Sequence, residues 1–85
     1  MPTISMFYGI LIRMYYDDHN PPHIHAIYGE NEACYDFNGQ TIDGKLPNKQ
    51  DKLVVAWIEI HKDELEANWK LARDGEQIFK IEPLK

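Results

Sequence analysis

Eighty-five residues with 44% hydrophobic and 12% aromatic content make one small domain with a single modest core, which excludes a two-domain architecture. Nine basic against fourteen acidic side chains leave a net charge of −5, and the basic residues are scattered among acids, so nucleic acid is not the expected partner. Cys34 is the only cysteine, which excludes an intramolecular disulfide and a multi-cysteine zinc site within one chain and points to a reducing cytoplasm.

Met1 to Leu11 has no basic leader, and its apolar run is broken by Tyr8 and Gly9, so a signal peptide is not expected there. No segment approaches the roughly 20 apolar residues of a membrane span. From Met6 to Tyr16 every even position is apolar (Met6, Tyr8, Ile10, Ile12, Met14, Tyr16), a period of two that predicts one strand with a buried face. Asn20-Pro21-Pro22 ends it, because proline donates no backbone hydrogen bond and biases its predecessor toward extended or turn geometry.

Strands are predicted over His23 to Tyr28 and Glu32 to Phe37, joined by Gly29-Glu30, where glycine in first place suits a type II′ turn. A two-residue turn fixes the register. Tyr28 then pairs with Asn31, His25 with Cys34 and His23 with Asp36. One face of this hairpin carries His23, His25, Cys34 and Asp36, and the other carries Ile24, Ala26, Ala33, Tyr35 and Phe37 toward the core. Asn38-Gly39 marks the next turn. A short strand around Gln40 to Asp43 follows, with little apolar weight beyond Ile42, and belongs at an edge.

From Asn48 to Asp74 there is neither Gly nor Pro. Val54, Trp57, Ile58, His61, Leu65, Asn68, Trp69 and Ala72 fall on one helical face, widened by Leu53, Ile60 and Leu71. Asn48 with Asp51 resembles an N-terminal cap and Gly75 a C-terminal stop, while Lys62, Glu66 and Lys70 form charge pairs on the opposite side. One long helix is expected, although Asp63 and Glu66 could start a second after a break near His61. Gln77 to Leu84 reads as an extended segment returning to the body. The fold class is therefore α+β: an antiparallel three- to four-stranded meander sheet with one long helix packed on one face. About 26 helical residues would span roughly 39 Å, more than so small a sheet can cover, so a homodimer through the overhang or the edge strand is expected.

The densest chemistry lies in Asp17-Asp18-His19-Asn20-Pro21-Pro22-His23-Ile24-His25, which holds three of the four histidines. Imidazole changes charge near neutral pH and is the commonest metal ligand. His23 and His25 point to one side of a strand. With Cys34 and Asp36 opposite, and His19 or Asp17 as additions, they form a candidate set for zinc or another late first-row metal. Without metal, the two imidazoles could act as base and acid on a phosphodiester, but no lysine or arginine adjoins the box in sequence to hold a phosphate. The structural alternative has the prolines fix a tight crossover while the histidines bond backbone carbonyls. His61, on an apolar stripe, reads as a core residue. Trp57 and Trp69 read as core or dimer anchors, and Cys34 as a nucleophile lacks an orienting third group.

The box, with Tyr28-Gly29-Glu30, Gly44-Lys45-Leu46-Pro47, Trp57 with His61, and Leu65 with Asn68-Trp69, resembles an uncharacterised bacterial family catalogued as domain of unknown function forty-one-sixty. The resemblance implies a small cytoplasmic prokaryotic protein whose gene lies beside another short reading frame, as in toxin and antitoxin pairs. It implies no activity. Two functions are carried forward. The first is a binding or regulatory module acting through a protein interface, as half of a toxin–antitoxin-like pair. The second is a histidine-centred, metal-assisted or acid–base phosphodiesterase acting on RNA or a nucleotide, with His23 and His25 as its catalytic residues.

Overall fold

The computed structural model describes residues 3–16 and 20–85. Five strands, β1 (Thr3–Phe7), β2 (Ile10–Arg13), β3 (His23–Tyr28), β4 (Asn31–Asp36) and β5 (Thr41–Gly44), form one antiparallel sheet in chain order. Two helices, α1 (Asn48–Ile60) and α2 (Lys62–Arg73), cover one face of it.

The expected single strand from Met6 to Tyr16 is two strands. Tyr8 and Gly9 both take positive φ, 49° and 77°, the backbone of a type I′ hairpin turn, and pair Phe7 with Ile10. A two-residue turn exchanges the parity of the inward side chains. Phe7 points into the core before it and Ile10, Ile12 and Met14 after it, while Met6 and Tyr8 are 63% and 59% exposed. A register shift between Thr3 and Ser5 then lets Ile4 and Ser5 both be buried.

The central hairpin has the register the sequence dictates: Tyr28 opposite Asn31, His25 opposite Cys34, His23 opposite Asp36. Gly29 alone of the turn pair has positive φ, as type II′ requires. Ile24, Ala26, Ala33, Tyr35 and Phe37 are all buried against the helices. β5 is an exposed edge strand whose last residue, Gly44, tolerates no side chain. Its φ is 73°, and an added Cβ would sit 2.2 Å from the Glu32 carbonyl oxygen.

The helical segment is broken at His61 (φ −110°, ψ 22°), so two helices replace the expected single long one. The break needs no glycine or proline. His61 packs against Trp57 with ring centroids 5.4 Å apart and planes tilted by 46°, and donates from Nδ1 to Glu64, which holds the chain as it turns. Val54, Trp57, Ile58, Leu65, Asn68, Trp69 and Ala72 are buried as their spacing requires, but Ile60 is 64% exposed, being about 200° around the helix from Ile58. The Asn48 cap does not form, since Pro47 occupies the N-cap position. Asp51 instead accepts a hydrogen bond from the buried Tyr35 hydroxyl at 2.7 Å and ties α1 to β4. Burial, and then that acceptor, push the Tyr35 phenol far above its ordinary value of 10.0.

Gly75 does stop α2. Its N–H donates to Ala72 and that of Glu76 to Leu71, the paired bonds of a Schellman motif. The tail then returns along the body. Fully buried Asn68 clamps Phe79, its Nδ2 donating to the Phe79 carbonyl and its Oδ1 accepting the Phe79 N–H. Trp57 Nε1 donates to the Glu82 carbonyl, and Ile81 N–H donates to Ile4 of edge strand β1.

Candidate functional site

The uncovered face of the sheet collects the chemistry-bearing side chains. Strand alternation and register set Arg13, His25, Cys34 and Asp43 in one row across β2 to β5. A regular continuation of the β4–β5 hairpin from Tyr35 opposite Thr41 would set Ile42 against Cys34. The shift between Cys34 and Tyr35 advances β5 by one residue and brings Asp43 there. His25, Cys34 and Asp43 of this row, with His23, Asn20 and Pro21, line a cleft of about 300 Å³ that also takes in Ile42.

His23 stands at the end of the row and is only 8% exposed. Its Nδ1 lies 2.7 Å from the Pro21 carbonyl oxygen, which can only accept, so Nδ1 carries the proton and Nε2 is the acceptor nitrogen of the uncharged ring. The ring packs 5.1 Å from His25 and 5.5 Å from Trp69 of α2. The Asn20–Pro21 peptide is cis, and the Pro21 carbonyl positions the His23 ring through the backbone.

His25 Nδ1 lies 3.3 Å from both Glu32 Oε2 and Cys34 Sγ, and Tyr15 meets the ring edge-on at 4.5 Å. A nucleophilic triad needs the thiol on one ring nitrogen and the orienting carboxylate on the other. Here both address Nδ1, so His25 cannot pass a proton from Cys34 toward Glu32 in that way. Arg13, directly across from His25, brings the cation that the sequence around the box lacks, and its buried Nε has no partner among the described residues.

Of the remaining sequence candidates, Asp36 lies opposite His23 but spends Oδ1 on the turn, accepting the N–H groups of Asn38 and Gln40. His61 lies with Trp57 and Glu64 on the helical layer, away from the row, as the register requires. Asp17 and His19 lie outside the described residues. Among the described residues no group of three or more His, Cys, Asp or Glu side chains is placed to hold a metal ion. Asp43 and Ile42 were missed in the sequence, because a bulge leaves little mark in so short a strand.

The landmarks now have structural roles: the prolines and histidines at the start of β3, the Gly29-Glu30 turn, Gly44 against β4, Trp57 beside His61, Asn68 on the tail, and Trp69 against His23 and Phe37. A family model matches residues 9–70. The chain belongs to the family described as Domain of unknown function (DUF4160). No curated protein and no solved structure matches it. The DUF4160 match takes in the histidine row and both helices as far as Lys70, and leaves out β1 and the tail that pairs with it. No helix among the described residues is long and apolar enough to cross a membrane.

Proposed function

We propose that this DUF4160 protein is a small binding or regulatory module acting through a protein interface, as one half of a toxin–antitoxin-like pair. The observation that carries the reading is His23. A histidine kept for chemistry presents its ring to a substrate, whereas this one is buried, bonded to the Pro21 backbone and wedged against Trp69. The box is then a device that locks the start of β3 to the helical layer. Self-association through the exposed edge of β5 remains part of the proposal, the single long helix being replaced by two.

Co-expression with the product of the adjacent short reading frame tests it. A stoichiometric complex by sedimentation, retained in a His25→Ala variant, is the expected result. Absence of any complex with that product or with a second copy overturns it.

The phosphodiesterase reading is kept as the alternative on one observation, the placement of Arg13 directly across from His25, whose cleft also holds His23. Glu32 beside the His25 ring and Asp43 in the row oppose an anionic substrate. Turnover of RNA or a nucleotide ester that falls at least tenfold in both His25→Ala and Arg13→Gln would replace the module by the enzyme.

A further inference from the structure

A second cleft, of about 360 Å³, lies on the other side of Pro21, between the proline pair and α2. Its floor is apolar, made by Pro22, Phe37 and Trp69, the last two of them buried. Its wall carries Lys62, Lys70 and Arg73, three of the nine basic side chains of a chain whose net charge is −5. Glu66 and Asp36 are the acids of the lining, and Asp36 is held by the turn at Asn38. The ion pairs among the described residues include none at Lys62 or Lys70, Lys62 instead donating to Asn38 Oδ1 at 2.9 Å. Arg73 has only a long contact of 3.9 Å with exposed Asp74, which solvent screens.

From this we infer that the cleft between Pro21-Pro22 and α2 docks an extended acidic segment of a protein partner, its carboxylates on Lys62, Lys70 and Arg73 and its apolar side chains on Pro22 and Trp69. Spacing favours a segment over a single anion. Lys62 and Lys70 are about 12 Å apart along the helix axis, with Arg73 about 5 Å further, so the cations follow the groove and do not converge on one phosphate. In an extended peptide alternate residues recur on one side about every 7 Å, which suits a run of acids facing the helix and apolar residues facing the floor. The local charge also opposes that of the whole molecule, so an acidic partner is steered to this place and repelled elsewhere.

The inference rests on the module reading for its biological sense, and the experiment separates the two. The probe is a synthetic ten-residue peptide alternating Glu with Leu, titrated into isotopically labelled protein, with its Gln-for-Glu counterpart and inorganic phosphate as comparisons. Shift changes centred on Lys62, Trp69 and Arg73 are expected, absent for the Gln peptide. The double variant Lys70→Gln/Arg73→Gln should weaken binding about tenfold, the equivalent of two charge contacts, while the equally charge-reduced Lys49→Gln/Lys52→Gln on α1 changes it less than twofold. All four side chains are exposed, so folding should survive, as circular dichroism checks. Binding unaffected by the groove variant, equal losses in both variants, or equal perturbation by phosphate at the same residues would overturn the inference. A partner complex untouched by Lys70→Gln/Arg73→Gln would overturn the groove alone and leave the module standing. Peptide binding without any complex would sustain the groove while the paired-gene reading falls.

Discussion

On one face of the β3–β4 hairpin Ile24, Ala26, Ala33 and Tyr35 are 0 to 1% exposed, whereas one residue along the same strands His25 and Cys34 keep part of their surface in solvent. Both faces are made by the same backbone and turn. The first is defined by volume, since two helices close over it and a missing methyl leaves a hole. The second is defined by hydrogen bonds among polar groups that water could replace at modest cost. Sequence change should therefore be felt on one face as lost stability and on the other as lost recognition or chemistry.

The largest effect should come from Ile24→Ala, expected to cost about 3 kcal/mol in urea unfolding because the cavity lies under both helices. A loss below about 1 kcal/mol would show that the covered face can collapse, and would blur the distinction between the faces. Next is Tyr35→Phe, expected to cost about 2 kcal/mol through the lost bond to Asp51. It also has a pH signature. The folded state holds the Tyr35 proton far above the ordinary value of 10.0, so above about pH 10 the unfolded state loses that proton first and the native protein loses stability as pH rises. Alkaline denaturation followed by circular dichroism should show a shallower decline in Tyr35→Phe than in the wild type. The smallest effect belongs to Cys34→Ser on the open face, about 0.5 kcal/mol, since its contact is with His25 rather than with the core. A cost matching that of Tyr35→Phe would make the histidine row part of the folding scaffold and sink the contrast.

The candidate site was legible in the sequence where short-range rules apply. A two-residue Gly29-Glu30 turn leaves one register, so the pairing of His25 with Cys34 and the division of the hairpin into faces could be read directly. Other features were hidden for identifiable reasons. Tyr8 in a left-handed conformation is uncommon for a residue with a side chain, and the even-numbered apolar positions continued across the turn, so one strand was expected where two exist. The helical period puts Asn68 on the inward face without giving it a partner, and only the returning tail reveals it as the clamp on Phe79.

By itself, then, the sequence determined the alternating faces of the central hairpin, the inward stripe of the helices and the Schellman stop at Gly75, because turn length, helical period and glycine's access to positive φ act within a few residues. The sequence left a break near His61 open beside one long helix, and tertiary structure alone decided the advance of Asp43 to Cys34 and the gathering of Lys62, Lys70 and Arg73 around Pro21 and Pro22. Each depends on packing between segments far apart in the chain. The energies that settle such arrangements come from which surfaces exclude water together, and no local pattern encodes that.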